Sequence, residues 1–334
     1  MWMFLITALL AALVQQYNKS SPSSITFRGG ADYPSIPKYT NLITEAEKQA
    51  FKQDGFILKK GLLQENELKD TIDAGDAYYK AKATRIQKAF SKSYAKLGFD
   101  IWRINEIFAQ VAMESVFPSI AAELMGFNSR HKTNESVRIL RDGFFGFKSE
   151  NNSGCGFHVD DSMFWPATAN STGVTFWVAL SPMRVSEGGG IRLVNQTLSK
   201  PFFSECKAVI QRNEGKPATC HMERLSPECH QKMMESSLCY NMEPGDVLIW
   251  DRWTFHRSEP FRGTDAGTDD AEAMPKLRYT IRYVPGSALA GGLVHASQKQ
   301  GQPFDGPYYP KVWPDFVKKE IDAIRDGLEP DLKI

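Results

Sequence analysis

From residue 137 onward, glycine, proline and asparagine divide the sequence into short apolar runs, and this pattern constrains the fold more than any other feature. The runs are 137–140, 144–148, 157–160, 173–180, 190–194 and 247–250. Their length suits strands, and no β-α-β alternation accompanies them. The pattern therefore predicts a mainly β structure of the sandwich or barrel type.

The first part of the chain has helical character instead. Thr44 and Glu47 form a capping-box pattern that begins a helix, and Gly55 ends it. Two more helices are expected around 65–80 and 104–125, the second because apolar residues recur at helical spacing. We expect these helices to pack on the outside of the β structure.

The size and charge of the chain limit its class. The 334 residues, 42% of them apolar and 24% charged, are enough for a sizeable buried core. We expect a single large domain at 41–334. The formal net charge of +1 provides no positive field that would attract nucleic acid. No nucleic-acid partner is therefore expected, and the sequence does not indicate the oligomeric state.

Residues 1–16 carry an apolar run of the length of a signal-peptide core, too short for a comfortable transmembrane helix. This segment predicts the secretory pathway, the ER or another membrane-bounded compartment. A buried N-terminal helix and a cytoplasmic location remain alternatives, and membrane contact is expected only if the segment is an uncleaved anchor. Residues 17–40 predict a linker. Five sequons are compatible with secretion: Asn18, Asn134, Asn151, Asn170 and Asn195.

Four of the five cysteines lie in an insertion at about 198–241: Cys206, Cys220, Cys229 and Cys239. In an oxidising compartment we expect one or two disulfides among these four, with Cys155 left unpaired, although spacing does not define the connectivity. In a reducing compartment all would be free thiols. Long insertions in compact domains tend to be functional, so we expect this one to form a lid over the active site.

Two histidines and one carboxylate stand out within the predicted β region. His158 and Asp160 are separated by one residue, so on an extended strand their side chains point to the same side. His256 follows a turn, a buried apolar run and a second turn. Two imidazoles and one carboxylate, with other coordination positions left open, form the ligand set of non-haem Fe(II) oxygenases. For the His-x-Asp pair alone, a strand with a surface histidine and aspartate remains the alternative.

A later segment, 275–283, alternates as a strand does. It places four polar side chains on one face: Lys276, Arg278, Thr280 and Arg282. The planar fork of an arginine can bind a carboxylate through two hydrogen bonds, so this face is a candidate site for an acidic co-substrate. A solvated strand face with exposed arginines is the alternative.

Several of these segments together resemble one known family. They are the helix and strand at 51–63, the His-x-Asp motif at 154–161, the glycine turn and strand at 188–194, and the distant histidine. The chain resembles the phytanoyl-CoA dioxygenase family of Fe(II)/2-oxoglutarate oxygenases from about Leu42 to Pro285. The resemblance implies a double-stranded β-helix, or jelly roll, with flanking helices.

The resemblance also implies that His158, Asp160 and His256 bind Fe(II), with 2-oxoglutarate and dioxygen in the open positions. The enzyme would then oxidise an unactivated C–H bond of a small organic substrate by hydroxylation, desaturation or oxidative cyclisation, and would release succinate and CO2. Halogenases of the superfamily lack the carboxylate ligand, so Asp160 disfavours halogenation. The family acts in lipid and natural-product metabolism, and the sequence does not specify the substrate.

The far carboxylate of 2-oxoglutarate requires a cation inside the barrel. Arg278 with Thr280 looks like the Arg-x-Ser pair of the superfamily, which makes Arg278 the preferred candidate. Lys276 is the alternative, because the family arginine often lies further from the tyrosine at the end of this strand. The acidic, glycine-containing insertion at 263–273 obscures that register.

Two functions of other classes remain open: a zinc-dependent hydrolase or lyase on the same three ligands, and a non-catalytic jelly-roll binding protein. The candidates for an apolar substrate pocket are the aromatic residues that flank the metal motifs: Phe164, Trp165, Trp177 and Trp253. Three upstream cations could bind a substrate carboxylate or could simply be solvated: Arg138, Arg141 and Lys148.

Overall fold

The computed structural model describes residues 42–82, 93–127, 135–148, 152, 154–160, 164–168, 170–213, 220–262, 275–292, 294–295 and 298–314. Several predictions concern residues outside these ranges: the N-terminal apolar segment, the linker, the sequons at Asn18, Asn134 and Asn151, and the insertion at 263–273. They stay predictions, as does the division into domains.

The helices among the described residues are α1 (Glu45–Asp54), α2 (Glu65–Lys80), α3 (Glu106–Glu114), α4 (Phe117–Leu124), α5 (Gln196–Ser199), α6 (Phe203–Arg212), α7 (Met222–Leu225) and α8 (Pro227–Glu235). The strands are β1 (Phe56–Lys59), β2 (Lys96–Phe99), β3 (Val137–Phe147), β4 (Val174–Ala179), β5 (Ile191–Val194), β6 (Ser237–Cys239), β7 (Val247–Asp251), β8 (His256–Ser258), β9 (Lys276–Pro285) and β10 (Lys311–Trp313).

These strands form two antiparallel sheets. The larger has the order β1-β7-β4-β9-β3-β10, with β2 also paired to β3, and the smaller has the order β6-β5-β8. Along the order of the larger sheet no two neighbouring strands are consecutive in the chain, as expected for a jelly roll and not for a simple meander. The predicted mainly β structure with flanking helices, a double-stranded β-helix, is confirmed. Because β9 lies between β3 and β4, all ten of its residues are buried, and the alternative of a solvated arginine face is wrong.

The helical cover of the larger sheet lies where the sequence predicts it, except that the single helix expected around 104–125 is divided into α3 and α4. Phe117 in α4 stacks on Phe176 of β4, with ring centroids 5.0 Å apart. The hydroxyl of Tyr283 in β9 donates to the carbonyl of Ala112 in α3 at 2.7 Å. The stretch Glu106–Leu124 is apolar and long enough to cross a membrane by composition. It consists of two helices packed on the sheet, as expected for core helices.

The turn after α1 is confirmed and supports the later metal motif. Thr44 and Glu47 form the capping box, and Gly55 ends the helix with φ of +82°. A side chain at Gly55 would be strained, and its Cβ would lie 2.4 Å from the side chain of Gln196. The Gly55 carbonyl accepts hydrogen bonds from Asp251 N at 2.8 Å and Thr254 Oγ1 at 2.9 Å. It thereby fixes the segment that leads into His256.

Two disulfides join Cys155 to Cys220 and Cys206 to Cys229, and Cys239 is not in a disulfide. The expectation that Cys155 would be unpaired is therefore wrong. Gly156 N donates to the Cys220 carbonyl at 3.0 Å, which brings the insertion alongside the metal motif. Sequence spacing cannot reveal such a contact, because it depends on how the insertion folds back.

The insertion packs against residues 157–160, an extended segment that carries two of the candidate metal ligands. Phe157 and Val159 share a buried apolar cluster with Ile210, Met222 and Met233 of the insertion helices. Side chains alternate along an extended strand, so His158 and Asp160 point away from these helices. In the part of the insertion that the structure describes, the helices therefore support this segment from the side opposite the ligands. The expected lid over the active site is not found there.

Candidate active site

A backbone contact brings the two histidines together. His158 and His256 form an antiparallel bridge in which each backbone N donates to the other's carbonyl at 2.9 Å. Their ring centroids are 4.3 Å apart. Asp160 lies two residues along the same extended segment, so its carboxylate reaches the same place. The pairing of distant strands thus assembles the cluster that the sequence predicts.

Both imidazoles are held in the tautomer that a metal needs. His158 Nδ1 lies 2.7 Å from the Gly156 carbonyl, and His256 Nδ1 lies 3.0 Å from the Thr254 carbonyl. A carbonyl can only accept, so each Nδ1 carries a proton and each Nε2 is left to face the metal site. Such a backbone partner for the second ring nitrogen is typical of metal-binding histidines.

The three side chains fit one metal ion. One ligand atom from each of His158, Asp160 and His256 lies within 4.8 Å of the others. His256 Nε2 is 3.7 Å from Asp160 Oδ1, and both side chains are nearly fully buried. Two imidazole nitrogens and one carboxylate oxygen match the ligand set of non-haem iron.

The charges of the ligands suit metal binding at neutral pH. Burial, with a contribution from His256, lowers the pKa of His158 to about 3, so its ring is neutral. Burial alone would raise the pKa of Asp160, but the adjacent Arg282 guanidinium and His256 hold it well below its usual range. At neutral pH the His158 imidazole is therefore already neutral and the Asp160 carboxylate already ionised, so neither has to lose a proton when a metal binds.

Acidification of the metal-free protein should therefore destabilise it through His158. The unfolded histidine takes up a proton near pH 6.5, whereas the folded one does so only near pH 3. Its stabilising contribution is complete above pH 6.5 and is lost as the pH falls, by at most about 1.4 kcal/mol per pH unit. Between pH 7 and pH 5, we expect wild type to lose about 1 to 2 kcal/mol more than His158→Gln. Urea unfolding of both proteins measures this difference.

Asp142 and Asp160 do not disturb this comparison. Burial, reinforced by Asp100, raises the pKa of Asp142 to about 7, but this residue is the same in both proteins and cancels. The pKa of Asp160 lies below the measured range. An equal loss of stability in wild type and His158→Gln would contradict a neutral, buried His158.

Arg278 is buried and has no carboxylate partner among the residues that the structure describes. Its Nη1 donates to the Gly189 carbonyl at 2.5 Å and its Nη2 to Ser258 Oγ at 3.1 Å. Four aromatic rings surround its Cζ at 4.2 to 5.7 Å: Tyr94, Phe145, Phe147 and Trp177. Burial lowers the pKa of Arg278 to about 10, which still leaves it charged at neutral pH.

The other two residues proposed for the co-substrate have partners within the protein. Lys276 Nζ forms an ion pair with Glu187 and donates to the Pro182 carbonyl at 2.9 Å. Thr280 Oγ1 donates to the Gly143 carbonyl at 3.2 Å and accepts from Arg282 Nη1 at 3.4 Å. The assignment of all three residues to 2-oxoglutarate stays a prediction, and the geometry favours Arg278.

The four aromatic residues proposed for the pocket each contact an arginine of the site. Trp177 lies beside Arg278, and Phe164 lies 5.4 Å from the Cζ of Arg282. Trp165 and Trp253 lie 4.9 and 4.5 Å from the Cζ of Arg252. Arg252 in turn donates to the backbone carbonyl of Asp160 at 3.2 Å. These rings therefore help to position the cations as well as to keep the site apolar.

The upstream cations have local roles. Arg138 pairs with Asp305 at 3.0 Å and donates to the Tyr309 carbonyl at 2.8 Å. Arg141 is buried, with Asp100 at 3.6 Å. Lys148 is exposed. None of these contacts ties the three residues to the metal cluster.

Three residues near the site were not assigned a role from the sequence. Ser258 follows His256 by two residues on β8, so strand alternation alone would have placed both on one face. Arg282 shares the face of Arg278 for the same reason. Tyr94, with its hydroxyl 3.5 Å from Ser258 Oγ, carries no signal in the sequence, because it precedes β2 and reaches the site only through the packing of β2 on β3.

Comparison with known proteins agrees with this geometry. A model of the phytanoyl-CoA dioxygenase (PhyH) family matches residues 51–266, well over half of the chain. The chain belongs to the phytanoyl-CoA dioxygenase family. Membership confirms the expected family and the expectation of a non-haem iron dioxygenase that uses 2-oxoglutarate. A search among curated proteins found no match to the sequence.

Solved structures of similar fold include enzymes of several reaction types. The non-haem α-ketoglutarate-dependent carbocyclase SnoK from nogalamycin biosynthesis has a TM-score of 0.60 and 14% identity, covering 81% of this chain and 97% of that one. The epimerase SnoN from the same biosynthesis has a TM-score of 0.56 and 15% identity, covering 79% of this chain and 96% of that one. EctD from S. alaskensis has a TM-score of 0.51 and 15% identity, covering 81% of this chain and 89% of that one. At these identities the likeness shows the shared fold alone.

Proposed function

We propose that this family member oxidises an unactivated C–H bond of a small organic substrate, by hydroxylation, desaturation or oxidative cyclisation, with 2-oxoglutarate bound between the metal cluster and Arg278. One observation carries the proposal. Arg278 is a buried guanidinium beside the cluster with no carboxylate partner among the described residues. A buried charge is costly unless it is paired, and the far carboxylate of 2-oxoglutarate would supply the partner.

The spacing between the cluster and Arg278 suits this co-substrate. His256 and Ser258 lie on one face of β8, two residues and therefore about 6.6 Å apart. Ser258 Oγ lies 3.1 Å from Arg278 Nη2 and 3.5 Å from the hydroxyl of Tyr94. A five-carbon diacid can extend over this distance, with its keto acid at the metal. Arg278, Ser258 and Tyr94 would then bind its far carboxylate.

The surroundings strengthen this contact. The rings of Phe147 and Trp177 lie 4.2 and 5.7 Å from the Arg278 Cζ and exclude water from it. A charge-assisted hydrogen bond is stronger where water is excluded. Arg278 would therefore discriminate strongly between 2-oxoglutarate and keto acids that lack the second carboxylate.

His158, Asp160 and His256 would hold the metal and occupy three of its six positions, which leaves room for the keto acid and dioxygen. Bound Fe(II) supplies the redox chemistry that couples oxidation of the substrate to conversion of 2-oxoglutarate and O2 into succinate and CO2. In a hydroxylation, one oxygen atom enters succinate and the other enters the product. The residues of the chain bind and orient the reactants and exclude water from them.

Anaerobic titration with Fe(II) and then 2-oxoglutarate tests the proposal. Chelation of ferrous iron by a 2-keto acid gives a weak visible charge-transfer band, which we expect wild type to develop with one equivalent of iron. Bound iron without this band would contradict the co-substrate assignment. It would favour the zinc hydrolase or lyase considered from the sequence, which has no need for a buried arginine that could bind a co-substrate carboxylate.

A further inference from the structure

Arg282 holds the carboxylate that the metal needs. Its Nε donates to Asp160 Oδ2 at 2.6 Å and its Nη2 to Asp160 Oδ1 at 3.2 Å. Both side chains are only 3% exposed. This pair is a two-point contact between a planar fork and a carboxylate, which fixes the orientation of both groups.

The two oxygens of Asp160 are not equivalent in this pair. Oδ1 lies 3.7 Å from His256 Nε2, so it faces the other ligand atoms. Oδ2 accepts the shorter hydrogen bond, from Arg282 Nε. Oδ1 therefore faces the other ligand atoms, although it also accepts the longer hydrogen bond from Arg282 Nη2, while Oδ2 is turned toward Arg282 Nε.

Arg282 is itself fixed. Its Nη1 donates to Thr280 Oγ1 at 3.4 Å, and Thr280 donates to the Gly143 carbonyl. On β9 it lies between Thr175 of β4 and Arg141 of β3, in the middle of the larger sheet. An arginine held on a central strand cannot move aside as a surface arginine does.

The backbone of Asp160 is held as well. Arg252 Nη1 donates to its carbonyl at 3.2 Å, and the Cζ of Arg252 lies 4.9 Å from the ring of Trp165 and 4.5 Å from that of Trp253. Because the main chain and one carboxylate oxygen are both held, the carboxylate group cannot rotate away from the guanidinium of Arg282.

We propose that Arg282 is a positioning residue that makes Asp160 bind the metal through Oδ1 alone. The inference rests on the proposed function. Two imidazoles and one oxygen fill three of six positions, and the keto acid and dioxygen need the other three. A carboxylate that bound through both oxygens would take a fourth position and compete with the keto acid. The hydrogen bond from Arg282 Nε to Oδ2 prevents this second contact.

Arg282→Lys tests the proposal, because it keeps the positive charge and removes the planar fork. We expect the variant to bind Fe(II) with an affinity close to that of wild type. Its affinity for the keto acid at the metal should fall by roughly tenfold or more, in the range seen when groups that orient metal ligands are changed. The probe is 2-oxobutyrate, which chelates the metal but lacks the carboxylate that Arg278 would bind. Charge-transfer titration measures its dissociation constant.

Infrared difference spectra of metal-bound minus metal-free protein provide a second readout, independent of turnover. Carboxylates bound through one oxygen show a wider separation of the two C–O stretches than those bound through two. We expect the wide separation in wild type and a narrower one in Arg282→Lys. Arg192→Lys is the matched control, since Arg192 pairs with Glu259 at 2.8 Å, away from the cluster. It should match wild type in both measurements.

The outcomes separate the two proposals. If wild type binds Fe(II) but gives no charge-transfer band with 2-oxoglutarate, the proposed function is wrong. If wild type gives the band and folded Arg282→Lys matches it in 2-oxobutyrate affinity and in the infrared spectrum, only the role of Arg282 is wrong. Arg282→Gln, which keeps one donor atom, the amide nitrogen, but no charge, serves if the lysine variant does not fold. In that variant the narrow separation is again expected, and an unchanged spectrum overturns the role of Arg282.

Discussion

Replacement of Arg278 by methionine is expected to raise the dissociation constant of 2-oxoglutarate by roughly 30-fold or more. Loss of one partner from a buried, hydrogen-bonded charge pair costs about 2 to 5 kcal/mol, and each 1.4 kcal/mol corresponds to about tenfold in affinity. The variant would leave the far carboxylate of the co-substrate facing Phe147 and Trp177. Anaerobic titration of the Fe(II)-loaded proteins with 2-oxoglutarate measures the change.

Lys276→Met is the matched control for this experiment. It removes a cation from the same face of β9, but one that already pairs with Glu187, so we expect at most a few-fold change in affinity. Binding of 2-oxobutyrate should be the same in wild type and Arg278→Met, because this ligand has no far carboxylate. A larger loss in Lys276→Met than in Arg278→Met would reverse the assignment and make the lysine the co-substrate ligand.

Removal of the disulfide between Cys155 and Cys220 should lower the free energy of unfolding by about 2 to 4 kcal/mol. The two cysteines are 65 residues apart, so the bond closes a large loop in the unfolded chain. It also attaches the insertion to the segment that carries His158. We therefore expect weaker metal binding in the double variant Cys155→Ser/Cys220→Ser. Urea unfolding and Fe(II) titration measure the two effects.

Cys239→Ser is the control, because this cysteine forms no disulfide in the structure. It should change stability by less than about 1 kcal/mol. A double variant as stable as wild type would show that the insertion is held by its apolar contacts alone.

The two disulfides also support our proposal of an oxidising compartment. If that proposal is wrong, both cysteine pairs are reduced in the cell, and alkylation of thiols before cell lysis will modify all four of these cysteines.

The metal cluster illustrates how far sequence spacing can reach. The pair His158 and Asp160 could be placed on one side of a strand, because side chains alternate along any extended backbone. His256 could be added only through the family resemblance, since no local rule connects residues so far apart. The structure then provides the bridge between His158 and His256 that holds the rings together.

The choice between Arg278 and Lys276 as the cation for the co-substrate carboxylate could not be made from sequence spacing. Alternation puts both on one face of β9, so the sequence cannot separate them. Packing separates them, because Glu187 reaches Lys276 while aromatic rings enclose Arg278. The pairing of Arg282 with Asp160 is hidden from the sequence for the same reason.

The sequence by itself determined the class of fold, the first helix with its capping box and terminal glycine, and the placement of His158 and Asp160 on one side of an extended segment. These features depend on local periodicity, on turn residues and on a motif of fixed spacing. Only the tertiary structure decided which cysteines pair, that the insertion packs against residues 157–160, and that Arg278 has no carboxylate partner among the described residues. Such features depend on contacts between segments distant in the chain, and those contacts form only when the two sheets and the insertion pack together.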